Sequence, residues 1–164
     1  MTQAPDPLPH APIGMVLGLL EHLREVPGGR EDLCKLGGPL GYELDDLLPV
    51  IEAAKRLHLV VVSKGDIELT EEGRLLAAAE EPERKRRLAR RLEHLPLISE
   101  IRRALEAEGG RVAQGVFLEH LLEHFSEPEA RRQLATALAW ARYGEVFDFD
   151  PGSEEFFLAP PDLA

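Results

Sequence analysis

The feature that most limits how this chain folds is an order of segments that occurs twice. In each half, three segments with helical spacing of apolar residues precede two short β-rich segments. Gly28-Gly29-Arg30 and Gly109-Gly110-Arg111 match at an offset of 81 residues, and Arg56-Leu57-His58 aligns with Arg142-Tyr143-Gly144 at an offset of 86. A repeated order of this kind predicts two units of one architecture.

The first half is predicted to contain three helices, a hairpin and a fourth helix. Gly37-Gly38-Pro39 should end a short helix over 30–36, and Lys64-Gly65-Asp66 should be the turn of a hairpin. Thr70 is placed to cap a helix over 71–80. One apolar stripe is expected to form the inner face of the third helix and contains Leu44, Leu47, Leu48, Ile51, Ala54 and Leu57.

The second half repeats the order, with Ser126 and Glu129 as a capping box and strands at 145–149 and 155–158. We therefore predict a mostly α fold with small β-hairpins, in tandem winged-helix (helix-turn-helix-like) units. The predicted divisions are a flexible Pro-rich N-terminus at 1–12, a first unit at 13–81, a connecting helix at 82–96, a second unit at 97–159 and a tail at 160–164.

Composition narrows the classes of function. The 164 residues contain 19 Lys and Arg against 30 Asp and Glu, so the net charge is −11. An acidic chain is not attracted to nucleic acid or anionic membranes in general. The single Cys34 rules out an intramolecular disulfide, and no apolar run is long enough to span a bilayer. We expect a cytoplasmic protein.

Several short motifs resemble the AAA-associated C-terminal domain of ATPase subunits of nitrate/sulfonate/bicarbonate-type ABC importers. The resemblance extends over about 13–159 and rests on Gly18-Leu19-Leu20-Glu21, Asp45-Asp46-Leu47-Leu48-Pro49, Asp66-Ile67-Glu68-Leu69-Thr70, Glu123-His124-Phe125-Ser126-Glu127 and Trp140-Ala141-Arg142-Tyr143-Gly144-Glu145. These are packing and turn motifs rather than catalytic ones. The resemblance implies an accessory module, peripheral to the inner membrane through a transporter partner.

The resemblance does not extend to ATPase activity. No G-x-x-x-x-G-K-[ST] loop and no ABC signature occurs in these residues, so nothing cradles the phosphates of a nucleotide. The chain corresponds to the accessory domain without the ATPase domain, either alone or as part of a longer protein. We expect no catalytic residues and no cofactor.

One positive run stands out on this acidic chain. Residues 84–91, RKRRLARR, carry six positive charges, and helical spacing points Leu88 and Leu92 inward. We expect a protein partner, namely an ABC transporter ATPase subunit or a second copy of the chain, and its candidate contacts are Arg84, Arg86, Arg87, Arg90 and Arg91. The alternative is that these arginines only solvate the outer face of a helix.

A winged-helix DNA-binding transcriptional regulator is the second hypothesis. Its candidate contacts are Arg131 and Arg132, with the positive run. However, Glu43, Asp45 and Asp46 precede or open the first candidate recognition helix and would repel phosphates. Nucleic acid is therefore not the expected partner.

His120-Leu121-Leu122-Glu123-His124 fits an H-x-x-E-H pattern, which places two histidines on one helical face. A zinc site needs a third protein ligand. The apolar stripe on the same helix puts the histidines toward its flank, so we expect a solvated face and no metal site.

Overall fold

A computed structural model describes residues 6–158, and their packing divides the chain into two compact units. The first unit contains Pro9–Arg91, and the second contains the described residues from Leu92 onward together with Asp6, Pro7 and Leu8. The helix predicted as a connector over 82–96 is shorter, and most of it packs with the first unit.

The first unit is built on leucine-rich helices around a small sheet. Leu20 on the first helix, Leu47 on the third and Ile67 on the last strand are at most 1% exposed. Its elements in chain order are α1 (Ile13–Glu25), a 3-10 turn (Pro27–Gly29), β1 (Arg30–Asp32), α2 (Leu33–Leu40), α3 (Leu44–Arg56), β2 (Val60–Ser63), β3 (Asp66–Leu69), α4 (Glu71–Ala78) and α5 (Glu81–Leu92).

The second unit repeats the order of helices and strands from α1 to β3 and has an aromatic core. The Phe156 ring makes edge-on contacts with Phe117 and Phe147, at centroid distances of 5.6 and 5.7 Å, and Trp140 is fully buried. Its elements are α6 (Pro96–Ala107), β4 (Arg111–Ala113), α7 (Gln114–Leu122), α8 (Glu127–Tyr143), β5 (Asp148–Asp150) and β6 (Glu155–Phe157). Within 6–158 the chain is therefore mostly helical, with small antiparallel sheets.

Each unit contains a three-stranded antiparallel sheet in which the last strand is central. The strand orders are β1-β3-β2 and β4-β6-β5. Ile67 pairs with Glu31 on one side and Val62 on the other, and Phe156 pairs with Val112 and Phe149 in the same way. The two predicted hairpins are present, and each pairs with a third strand that was not predicted from the sequence.

These third strands, β1 and β4, have three residues each, which is too short to show an alternating pattern. The short helix expected over 30–36 also starts later and runs through Gly37-Gly38-Pro39, so that motif does not break it. Asp32 caps this helix by accepting a hydrogen bond from the Cys34 amide. Gly41, with a φ of +72°, ends it.

The repeated Gly-Gly-Arg motif has one role in both units. Gly28, Gly29, Gly109 and Gly110 all have positive φ values, so they turn the chain from a helix into the edge strand. The arginine that follows pairs with the central strand at the same position: Arg30 Nε lies 3.0 Å from Asp66 Oδ2, and Arg111 Nη1 lies 3.0 Å from Glu155 Oε1. The sequence repeat is thus also a structural repeat.

The second alignment is wrong by one residue. Helix α3 ends with bonds from the His58 amide to the Lys55 carbonyl and from Leu59 to Ala54, which is a Schellman motif. Helix α8 ends with the same two bonds, from Glu145 to Arg142 and from Val146 to Ala141. His58 and Glu145 both have a φ of +59°, so the true offset is 87. No glycine marks either position, which is why short letter matches misled the alignment.

The N-terminal segment is less loose than expected over the residues that the structure describes. Leu8 is 3% exposed, its amide donates to Gln133 Oε1 at 2.7 Å, and its carbonyl accepts from Gln133 Nε2 at 3.2 Å. The prediction of a flexible lead-in is therefore wrong at Leu8. Residues 1–5, and the tail predicted at 160–164, lie outside the described residues.

Candidate interaction surface

Helix α5 contains the positive run, and the charges at its two ends stabilise the helix. Glu81 and Glu83 lie in its first turn and Arg90 and Arg91 in its last, which complements the helix dipole. Leu88 is fully buried on the inner face. The arginines around it therefore emerge on several sides of the helix, and their surroundings differ.

Arg84 is engaged within the first unit. Its Nη1 lies 3.0 Å from Glu21 Oε1, its Nη2 donates to the Ala77 carbonyl at 3.0 Å, and its side chain is 16% exposed. Two elements, α1 and α4, thus hold this guanidinium. A group held in this way is not free to meet a partner.

Arg87 is engaged in a similar way. Its Nη1 lies 3.4 Å from Glu72 Oε1 on α4, its Nη2 lies 3.6 Å from Glu83 Oε1, and its side chain is 21% exposed. The interpretation of Arg84 and Arg87 as open partner contacts is therefore corrected: both are ion-paired packing residues. Spacing along one helix predicted their side but not the acidic neighbours on other helices.

Arg86 and Arg90 remain open. Both are exposed, they are four residues apart on one helical face, and no carboxylate among residues 6–158 lies within 4.0 Å of either guanidinium. Arg91 is half-buried and likewise lacks an ion pair within that range. We call the two exposed residues the Arg86/Arg90 surface.

The candidate nucleic-acid contacts lie on α8 in the second unit. Arg131 and Arg132 are both exposed, and Arg131 Nε lies 3.4 Å from Glu127 Oε2 one turn earlier. The corresponding start of α3 exposes Asp45 and Asp46. Acidic groups thus lie at the N-terminal end of both helices.

Two apolar residues that the sequence assigned to the core are on the surface. Leu44 is 65% exposed and Leu48 54% exposed, whereas Leu47 and Ile51, from the same stripe, are buried. Leu44 and Leu48 are one turn apart at the start of α3. Two residues of the predicted stripe therefore lie outside the buried face, and only packing shows which edge of the stripe is covered.

The H-x-x-E-H segment brings three donor groups together at the end of α7. One ligand atom from each of His120, Glu123 and His124 lies within 4.8 Å of the others. Glu100, on α6, places Oε1 2.6 Å from His120 Nδ1. The sequence pattern identified the two histidines but gave no sign of Glu100, which is twenty residues earlier.

Comparison with known proteins gives one match. A family model described as the C-terminal AAA-associated domain matches residues 34–150. The chain belongs to this family. The matched part of this AAA-associated domain runs from α2 to the last residue of β5 and so includes most of both units. No curated protein and no solved structure matches the chain.

Membership of this family makes the chain an accessory domain of the AAA-associated kind. Within 6–158, none of its helices combines the length and the apolar character that crossing a membrane requires. Exposed features of the described residues include the Arg86/Arg90 surface, the start of α3 with Leu44 and Leu48, and the donor cluster at the end of α7.

Proposed function

We propose that this chain is a non-catalytic interaction module that docks on an ATPase subunit of a nitrate/sulfonate/bicarbonate-type ABC importer. The observation that carries the proposal is the family match over residues 34–150. The chain has no phosphate-binding loop of its own, so nucleotide chemistry belongs to the partner. Docking of this kind would hold the domain at the cytoplasmic periphery of the inner membrane.

We further propose that the two units are winged helices. The order of elements supports this assignment: a helix, an edge strand, two helices and a hairpin recur in both units, with the last strand central in each sheet. In such a unit α3 and α8 occupy the position of the recognition helix of DNA-binding winged helices, and β2-β3 and β5-β6 form the wings.

The contact we propose is the Arg86/Arg90 surface. Its two guanidinium groups have no internal carboxylate partner within 6–158, whereas Arg84 and Arg87 do. On a chain of net charge −11, two open arginines form a local positive site, which suits an acidic patch on the ATPase subunit. This assignment narrows the five arginines of the positive run to two.

The test is a binding measurement between the whole chain and the purified ATPase subunit of the importer from the same organism. We expect the double variant Arg86→Glu, Arg90→Glu to weaken binding by about tenfold, chiefly through slower association, and high salt to weaken wild-type binding. Circular dichroism should show an unchanged fold, since exposed arginines contribute little to stability.

The matched control is Arg103→Glu, Arg132→Glu, which changes the net charge equally at two exposed arginines of the second unit. It should bind as wild type does. Equal weakening by both variants would mean that only net charge matters. No binding by wild type to the subunit would overturn the proposed partner. If light scattering instead shows a salt-sensitive dimer that Arg86→Glu, Arg90→Glu abolishes, the partner is a second copy.

Duplex DNA is the other partner that paired winged helices suggest, and the charges weigh against it. Asp45 and Asp46 are exposed at the start of α3, and Glu127 engages Arg131 at the start of α8. We expect DNA to bind no more tightly than about 10⁻⁵ M at physiological salt, which is nonspecific strength. Tighter binding to one sequence over scrambled competitor, lost in Arg131→Ala, Arg132→Ala, would favour the DNA-binding regulator instead.

A further inference from the structure

The end of helix α7 holds three side chains of the kinds that bind transition metals. Two imidazoles, His120 and His124, lie one turn apart, and the carboxylate of Glu123 lies between them in sequence. Their ligand atoms are within 4.8 Å of one another, and the two rings are 6.0 Å apart at their centroids. Nothing in the proposed docking function uses these groups.

The donor set fits Zn²⁺ better than Mg²⁺ or Ca²⁺, which prefer oxygen ligands. Two ligand atoms bound to one tetrahedral zinc at about 2.1 Å lie about 3.4 Å apart. The cluster therefore has to contract by about an ångström and a half at its widest, which side-chain rotation supplies because Glu123 and His124 are exposed.

His120 is the anchor of the cluster and is only half-exposed. Both of its ring nitrogens are buried, and neither has an aligned hydrogen-bond partner among the described residues. Glu100 Oε1 is 2.6 Å from Nδ1, but the pair is not oriented as a hydrogen bond. Nε2 of His120 has neither a hydrogen bond nor an ion pair among the described residues, and an unpaired buried polar atom costs free energy that binding a metal ion would recover.

Glu100 is placed like the outer carboxylate that orients a zinc-binding histidine without binding the ion itself. A histidine that binds zinc through one nitrogen usually gives its other N–H to a carboxylate, which orients the ring. With Glu100 beside Nδ1, Nε2 of His120 is the nitrogen left for the ion. Glu100 is on α6, so this contact joins the helix before β4 to the helix after it.

We propose that His120, Glu123 and His124 form a Zn²⁺ site, with Glu100 as a positioning residue and water completing the coordination. This inference does not depend on the docking function. The ion would lie where α7 ends and the chain turns toward Ser126, the N-cap of α8. Binding there would stabilise the turn between the two helices. A bound cation also lies near the carbonyls at the end of α7, where the helix dipole favours positive charge.

The experiment is a titration of the whole chain, first dialysed against chelator, with ZnCl₂ by calorimetry and with CoCl₂ by visible absorption. We expect one Zn²⁺ per chain and a tetrahedral Co²⁺ spectrum. His120→Ala, His124→Ala should abolish both, and Glu123→Gln, at an exposed position, should weaken the affinity without affecting the fold. Glu100→Gln should weaken zinc affinity 10- to 100-fold while the Co²⁺ spectrum stays tetrahedral.

His94→Ala, at an exposed histidine of the same unit, is the matched control and should bind zinc as wild type does. Absence of stoichiometric binding by wild type overturns the proposal. So does binding that survives unchanged in both Glu123→Gln and the folded double histidine variant. If Glu100→Gln changes the Co²⁺ spectrum, Glu100 is a ligand and its positioning role is wrong.

Discussion

The turn after β5 stabilises the ionised form of Asp150 through hydrogen bonds to its carboxylate. At the end of β5 its Oδ1 accepts from the Gly152 amide at 2.9 Å, and its Oδ2 lies 3.4 Å from Arg111 Nη1. The Gly152 hydrogen bond, followed by that of the Ser153 side chain and with a smaller contribution from Arg111, lowers the pKa of Asp150 below its usual value. The hydrogen bonds of this hairpin loop thus favour the charged form of the Asp150 carboxylate.

Because the pKa is lowered in the folded state, the charged carboxylate stabilises the fold at neutral pH. That contribution is present above the usual carboxyl pKa and is lost as the pH falls through the lowered value. We expect an NMR titration of Asp150 to give a pKa below the usual range and Ser153→Ala to raise it. An unchanged midpoint in Ser153→Ala would mean that the hydroxyl does not bind the carboxylate.

Gly73 is required by a close approach rather than by its backbone angles. A Cβ at this position of α4 would lie 2.0 Å from the Leu59 carbonyl oxygen, and that oxygen is fixed because it accepts from the Thr70 amide. We expect Gly73→Ala to lower the free energy of unfolding by about 1–3 kcal/mol, measured by urea denaturation.

Gly18, in the middle of α1, is the matched comparison for this substitution. A Cβ there meets no described atom within 4 Å. Gly18→Ala should therefore raise the free energy of unfolding by about 0.5–1 kcal/mol, since alanine loses less entropy in a helix. Equal effects of the two substitutions would contradict the close approach at Gly73.

At the scale of elements, helix α5 has an inner and an outer set of arginines. Arg84 and Arg87 bind carboxylates of α1, α4 and α5 itself, and Arg86 and Arg90 face outward. The helix therefore combines attachment within the first unit with an open cationic face. Only the outer set is available for docking.

We expect reversal of one arginine charge to lower the free energy of unfolding more at the ion-paired Arg87 than at the exposed Arg86. Arg87→Glu places a third carboxylate beside Glu72 and Glu83, and because all three side chains are partly screened by water the expected loss is about 1 kcal/mol. Arg86→Glu should change the free energy of unfolding by less than about 0.5 kcal/mol. Parallel thermal melts measure both, and an equal loss would show that Arg87 is as free as Arg86.

At the scale of the molecule, Gln133 fixes a segment distant in sequence. Its side chain is 1% exposed, and it donates to and accepts from the backbone of Leu8, 125 positions earlier. One buried side-chain amide thereby pairs with both backbone groups of Leu8. Leu8 and Gln133 both belong to the second unit, so this bond fixes the N-terminal segment within that unit.

Gln133→Ala leaves the Leu8 amide and carbonyl buried without these partners. We expect the free energy of unfolding to fall by about 2 kcal/mol and the Leu8 amide to lose hydrogen-exchange protection. Arg132→Ala, at the exposed neighbouring position, should change neither quantity. Retained protection at Leu8 in Gln133→Ala would contradict the role of the amide.

Local signals in the sequence predicted the elements that depend on neighbouring residues. Thr70 caps α4 by accepting from the Gly73 amide, and Ser126 caps α8 by accepting from Glu129, as their positions indicated. The hairpin at Lys64-Gly65 followed from turn residues between β-rich segments, and the second hairpin followed from the β-rich segments at 145–149 and 155–158. The family resemblance, which rested on short motifs of this kind, is confirmed over residues 34–150.

What the sequence alone determined about this protein is its repeated helical order, its hairpins, its helix caps and its family, because each depends on residues a few positions apart. Tertiary structure decided which arginines lack an ion pair and that Leu44 and Leu48 are exposed. It also brought Leu8 to Gln133 and Glu100 to His120. These outcomes join residues of different helices or strands. Their distances are set by packing, which spacing along a single element does not encode.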